Sequence, residues 1–272
     1  MKQQQAYAAA AAAAKVLTVS AVALAIAGCS LFSSDKRKPV ELEPNVALMF
    51  VQQAWTQRIG KSNPTLVMNV SGNVVTLASA DGQVAAINAD TGADLWRLNV
   101  GQKLSAGVGS DGKWAAVVTE DGNLVAINQG KEMWRKRLPA RVYTAPLVAG
   151  QRIFVQSADR SVQAFDAASG QALWNQAKTS ESLVLRQSGV LTAYQDTLVA
   201  GVSGRFVGID PNTGALRWEV PIASPRGTND VERLVELVGG VSRQGSVLCT
   251  RAYQMAVGCI DAATAQLSWT VR

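Results

Sequence analysis

The chain of 272 residues contains no histidine at all. That removes Ser-His-Asp hydrolysis, Cys-His nucleophiles and histidine-ligated metal centres from the chemistry open to it. Its three cysteines are too few for a cysteine-only zinc site. Charged residues are scarce, at 17% against 48% hydrophobic, so a large core can be buried, and all-β architectures of this length commonly form one domain. A net charge of +6, scattered along the chain, is too mild to argue for nucleic acid. No two carboxylates stand at a spacing that would single out an acid/base pair. The sequence therefore offers no catalytic candidate, and no metal or cofactor site is expected.

A membrane-spanning run is also lacking. The apolar stretch 16–27, preceded by Lys2, an alanine tract and Lys15, is twelve residues long, which suits the core of a signal peptide and not a bilayer span. It ends in Ile26-Ala27-Gly28-Cys29, which resembles the lipobox of bacterial lipoproteins, where small residues precede a cysteine that is cleaved and acylated. The expected organisation is a signal peptide over residues 1–28, an acylated tether over 29–44 beginning at Cys29, and a folded body over 45–272. Ser30 in place of Asp after the cysteine implies, in the lipoprotein sorting pattern, an outer-membrane anchor with the body in the periplasm, and several acyl chains on one cysteine hold stably where one would be marginal. Lys36-Arg37-Lys38 reads as a solvated charge run within the tether.

What the chain has in abundance is repetition. Ile209-Asp210-Pro211-Asn212-Thr213-Gly214-Ala215-Leu216-Arg217-Trp218 recurs in altered spelling at 87–96 and 165–174, with Ala265 replacing the glycine at 260–269 and a shortened copy at 127–134. Each copy reads as strand, turn, strand. The tryptophans at 55, 96, 134, 174, 218 and 269 are spaced by 41, 38, 40, 44 and 51 residues, and only Trp114 is off the series. A period near forty with several short β-branched strands per repeat is the signature of a β-propeller blade.

Four strands per blade fit the repeats. In the first blade they are expected at 66–70, 74–78, 84–88 and 95–99, and the following blades at 106–137, 145–176, 190–220 and 239–271. Asp81-Gly82 and Asp121-Gly122 mark tight second hairpins, weakened later to Asp159-Arg160 and Ser203-Gly204. Residues 55–60 read as a fourth strand with no first three before it. Five complete blades and a surplus strand imply a truncated propeller, or a fragment whose ring does not close as written, with a closed five-blade ring carrying a surplus strand as the alternative. Regular recurrence assigns Trp96, Trp134, Trp174, Trp218 and Trp269 to docking between blades and not to a ligand, with the turn glycine allowing close backbone approach. Asp90, Asp166, Asp210 and Asp261, at strand ends before turns, are expected to cap backbone. Cys249 and Cys259 lie on successive strands of the fifth blade: a three-residue loop centred on Gln254 brings them face to face for a disulfide, and a two-residue turn makes them miss by one position.

The uneven spacings are the functional clue, because repeat proteins add function as insertions on one face. Both long steps fall in connectors between the fourth strand of one blade and the first of the next. One holds Leu183, Leu185 and Arg186, the other a mixed segment over 226–237 that includes Leu234, Glu236 and Leu237. Aliphatic residues with Arg and Glu on surface loops suit a protein-binding patch, against the alternative that the leucines fold back over blade edges.

Taken together, lipobox, tether and repeats resemble the BamB family, the propeller lipoproteins of the outer-membrane β-barrel assembly machinery, whose repeat motif is shared with pyrroloquinoline-quinone enzymes. The resemblance implies a ring of eight blades and a scaffold that assists folding and insertion of outer-membrane proteins. It further implies docking on the periplasmic domains of the barrel-forming protein BamA, alongside other Bam components. Within it, Leu183, Leu185 and Arg186 match a Leu-x-Leu-Arg docking loop and Glu236 one acidic position of a neighbouring loop, while Val238 stands where a second acid would be. The alternatives are a fragment of a quinone-dependent dehydrogenase, which would resemble its relatives in an adjacent cysteine pair that this chain lacks, and a periplasmic propeller binding carbohydrate or peptide in its channel.

Overall fold

The computed structural model describes residue 41 and residues 51–177, 183–226, 228–229 and 231–272. The chain divides into two units, Met1–Gln52 and Gln53–Arg272, and the architecture below is that of the second. The expected signal peptide, Cys29 and most of the tether lie outside the described residues.

Every regular element described is a strand. Sheet 1 contains β1 (Asn69–Ser71), β2 (Val74–Ala78), β3 (Gln83–Asn88) and β4 (Asp94–Asn99). Sheet 2 contains β5 (Leu104–Ser110), β6 (Trp114–Thr119), β7 (Asn123–Asn128) and β8 (Lys131–Arg137). Sheet 3 contains β9 (Leu147–Ala149), β10 (Arg152–Gln156), β11 (Val162–Asp166) and β12 (Ala172–Gln176). Sheet 4 contains β13 (Leu191–Tyr194), β14 (Thr197–Val202), β15 (Arg205–Ile209) and β16 (Leu216–Pro221). Sheet 5 contains β17 (Leu237–Gln244), β18 (Val247–Ala252), β19 (Ala256–Asp261) and β20 (Gln266–Val271). Each sheet is an antiparallel meander in chain order, the four-stranded blade that the forty-residue period predicts.

Burial follows from the stacking of sheet on sheet. The middle strands are covered on both faces: β6 is buried throughout and β7 at its four central residues. This is why they read as continuous apolar runs and not as alternating ones. The fourth strands of sheets 1 and 2 instead mix exposed and half-buried residues, as β4 and β8 do. The core falls into separate clusters between neighbouring sheets. Leu124, Ile153 and Phe165 centre the one between sheets 2 and 3, and Phe154, Leu198 and Ile209 the one between sheets 3 and 4. Trp114, the tryptophan off the series, is a buried member of the first of these.

The recurring turn sets how the sheets dock. In sheet 3 the Asp166 carboxylate accepts from the backbone N–H groups of Ala168 and Ser169 at 3.1 and 2.7 Å, closing the turn from within. Asp210 does the same for Asn212 and Thr213, and Asp261 for Ala263 and Thr264. In sheet 1 the cap is Asn88 and not the expected Asp90, because Asn88 holds the register position of Asp166 and its side-chain oxygen serves as well. Asp210 also pairs with Arg217 at 2.7 Å, and that hydrogen bond, with those from Asn212 and Thr213, lowers its pKa to about 2.

Onto each turn the preceding tryptophan is laid. The indole N–H of Trp134 donates to Ala167 at 2.8 Å and that of Trp174 to Pro211 at 3.0 Å. A Cβ added to Gly170 would meet the Trp134 ring at 2.8 Å, and one added to Gly214 the Trp174 ring at 2.7 Å. Both glycines also have positive φ, so their lack of a side chain is required twice over. Trp96 lies against Gly130 in the same way, while Trp218 and Ala265 pack against the same core cluster and Ala265 adopts φ 54° in the glycine's place. Trp269, in the last described sheet, is 47% exposed, and no turn among the described residues lies against it.

Two further expectations are corrected, and the open choice of loop length in sheet 5 is decided. Residues 55–60 form no strand, since no described strand lies beside them to complete a ladder. The segment is nevertheless placed as a docking segment, with Trp55 donating to Ala89 at 2.8 Å. The first strand of sheet 1 begins at Asn69 and not at 66, because Leu66 instead makes an isolated parallel bridge to Gly107 of the next sheet. In sheet 5, Ala252 pairs with Ala256 around a three-residue loop, which sets Cys249 opposite Cys259 with sulfurs bonded at 2.02 Å.

Candidate protein-docking site

In an antiparallel meander the second hairpin turn and the connector to the next sheet emerge at the same end. The turns make this face regular. Loops 80–82, 120–122 and 158–160 each join second to third strand with three residues, and Gly82, Gly122 and Arg160 donate back to Ser79, Thr119 and Ser157 at 3.1, 2.8 and 2.9 Å. Sheet 4 uses the two-residue loop Ser203-Gly204, both at positive φ, as a tight hairpin requires. Connectors are tied to these turns from below, as where Ala158 donates to Arg141 and Tyr253 to Glu236.

The enlarged connectors meet on this face. Glu236 lies just before β17 and turns its carboxylate toward the other connector, where one oxygen accepts from the Leu185 N–H at 3.0 Å. The other oxygen pairs with Arg160 Nη2 at 3.2 Å, with side-chain exposures of 6% for Arg160 and 17% for Glu236. The same Arg160 nitrogen donates to the Leu183 carbonyl at 3.4 Å. An ion pair withdrawn this far from water is held by geometry, and its loss leaves buried charge behind.

Above this base the loop turns apolar groups outward. Leu183 and Val184 are 40% and 38% exposed, Leu185 is half-buried, and the exposed Arg186 guanidinium lies 5.7 Å from the centre of the Tyr143 ring. Exposed aliphatic side chains next to a stacked arginine on a fastened loop are the composition of a protein-binding patch. On the second connector Asn229 accepts from the Glu232 N–H while Glu232 accepts from the Thr228 N–H, which shapes the turn that leaves Val231 72% exposed. Residues 178–182, 227 and 230 lie outside the described residues.

The expected residues thus divide. Leu183, Leu185, Arg186 and Glu236 are brought together on one face, with Glu236 beneath the loop and not beside it. Leu237 departs from the surface reading, being 2% exposed at the start of β17, and Leu234 is half-buried, so these two fold back over the sheet edge. Val238, at the second acidic position, is 2% exposed and inside the β17–β18 ladder, where a carboxylate would be desolvated. Sequence reasoning passed over Arg160 and Tyr143. Arg160 was visible only as the residue that breaks the Asp-Gly pattern of the earlier turns.

A family model described as outer membrane protein assembly factor BamB matches residues 53–272. The chain belongs to the BamB family. It is 36% identical over 243 residues to the assembly factor of Bordetella pertussis, covering 88% of this chain and 63% of the relative. With that of Burkholderia pseudomallei it shares 33% over 254 residues, covering 92% of this chain and 67% of the other. The chain therefore spans about two thirds of the length of these relatives. Among solved structures it is similar to BamB from Moraxella catarrhalis, with a TM-score of 0.68, 21% identity, and coverage of 77% of this chain and 65% of that one. A quinohemoprotein alcohol dehydrogenase from Pseudomonas putida gives a TM-score of 0.55 at 16% identity, covering 78% and 43%. At those identities the structural likeness speaks for the all-β propeller fold of four-stranded blades and for nothing further.

Proposed function

We propose that this BamB-family chain is a non-enzymatic scaffold of the outer-membrane β-barrel assembly machinery. In this reading it is anchored in the outer membrane through acylated Cys29, faces the periplasm, and assists the folding and insertion of outer-membrane proteins. The relatives named above carry the role of assembly factor. The partner is the periplasmic part of a BamA-type protein, in company with other Bam components. Leu183 and Leu185 supply the apolar contact, and Arg186 a directional charge at its rim.

The observation that carries this reading is the pairing of two features on one loop: Leu183 and Val184 stand exposed, while the backbone beneath them is fastened by Arg160 and Glu236. A leucine that merely covered a sheet edge would be buried, as Leu237 is. The test is Leu183→Glu combined with Arg186→Ala in the full chain. The double variant is expected to fold normally, because neither side chain belongs to a core cluster, and to lose co-purification with the BamA-type partner. Undiminished co-purification would remove this loop from the interface.

A further inference from the structure

Arg160 occupies a backbone position that the two preceding sheets give to glycine. The third residues of loops 80–82, 120–122 and 158–160 are Gly82, Gly122 and Arg160, with φ of 100°, 79° and 66°. L side chains seldom adopt such angles. Strain of this kind persists where the surrounding structure puts the residue to use. The use is on display: the Arg160 side chain is 94% buried, and its Nη2 reaches both the Leu183 carbonyl and the Glu236 carboxylate. Glu236 in turn takes the Leu185 N–H on its second oxygen. Residues 183 and 185 of one connector are therefore held by a turn of sheet 3 and by the connector into sheet 5. Both Glu236 oxygens point inward to do it.

We propose that Arg160 and Glu236 form a clasp that sets the 183–186 loop in its docking shape before any partner arrives. Glu236 is then a positioning residue and not a partner contact. The inference rests on the reading of that loop as a docking surface. Fastening the backbone in advance removes ordering entropy that would otherwise be lost on association. It also leaves Leu183 and Val184 facing solvent while the Leu183 carbonyl and the Leu185 N–H stay satisfied.

The test uses the full chain with Arg160→Gly and Glu236→Gln. Glycine is the resident residue of the equivalent turns in sheets 1 and 2, so Arg160→Gly relieves the backbone while opening the clasp. Glu236→Gln keeps an acceptor oxygen for the Leu185 N–H but gives up the charge that holds Arg160. In the free chain, hydrogen exchange at the Leu185 amide is expected to speed up about tenfold in Arg160→Gly. Affinity for the purified periplasmic domains of the BamA-type partner, measured by calorimetry, is expected to fall by about tenfold. The double variant should bind no more weakly than the worse single one, because both open the same clasp. Unchanged exchange at Leu185 in Arg160→Gly would overturn the proposal. So would a loss of affinity in Glu236→Gln at unchanged exchange, which marks Glu236 as a direct contact. The exchange arm needs no partner, so it judges the clasp even where Leu183→Glu leaves affinity unchanged and the docking reading fails.

Discussion

Trp174 and Trp269 hold the same place in two copies of one motif, yet among the described residues only Trp174 has a turn to dock on. The Trp174 indole donates to Pro211 at 3.0 Å, lies over Gly214, and has Phe154 at 6.0 Å between ring centres. Trp174→Ala gives up a hydrogen bond worth about 1 kcal/mol and a half-buried indole whose truncation in a packed site costs about 3 kcal/mol in all. Trp269→Ala removes a side chain that is 47% exposed, and a loss below about 1 kcal/mol follows for so open a position. Urea unfolding of both variants followed by circular dichroism would measure the difference, about 2 kcal/mol. A second variant tests the mechanism of docking. Gly214→Ala carries a backbone cost of about 1–2 kcal/mol from its positive φ and a further cost of about 1 kcal/mol from the clash with Trp174. In a Trp174→Ala background the clash part disappears, so the two changes should couple by about 1 kcal/mol. Equal losses for Trp174→Ala and Trp269→Ala, together with simple additivity at Gly214, would refute indole docking as the joint between sheets.

The Asp210 carboxyl, lowered to about 2 by Arg217 and the turn's N–H groups, should stay ionised at pH 3. A group whose pKa is depressed on folding contributes stability above its unfolded pKa, near 4, and loses it as pH falls toward 2. In a carboxyl NMR titration Arg217→Ala should move the Asp210 midpoint upward, and an unmoved midpoint would deny Arg217 that role. Cys249 and Cys259, ten residues apart, close a small loop, which in the chain-entropy account stabilises by about 3 kcal/mol. Reduction should raise the mass by two hydrogens and lower the unfolding midpoint, whereas a chain already carrying two free thiols after preparation under air would contradict the pairing.

Much of this architecture was legible because packing repeats. The tryptophan interval gave the sheets, and strand limits for the later blades fell within two residues of the observed ones, since β-branched runs bounded by glycine leave little freedom. What misled was the absence of a partner. Residues 55–60 spell a fourth strand, but spelling cannot supply the neighbouring strand that a ladder needs. Trp269 likewise carries the docking motif without a described turn to dock on.

At the candidate site, connector length pointed to the face on which Leu183, Leu185, Arg186 and Glu236 gather, because insertions must leave a regular meander at its loops. The individual residues were harder. Leu183 and Leu237 look alike in sequence, and only the start of β17 at Leu237 decides that one is buried and the other exposed. Asp90 is displaced as the cap by Asn88, which stands two residues earlier and offers the same kind of oxygen. Arg160 announced itself only by spoiling an Asp-Gly pair, a signal that reads as a weaker turn until its guanidinium is seen beneath the loop.

The docking surface itself is tested most directly by placing a photo-crosslinking amino acid at Leu183, and at outer-strand Leu173 as a control, in the full chain expressed in a bacterial envelope. Irradiation is predicted to join position 183, and not position 173, to the periplasmic domains of the BamA-type protein. An adduct from position 173 with none from position 183 would contradict the account.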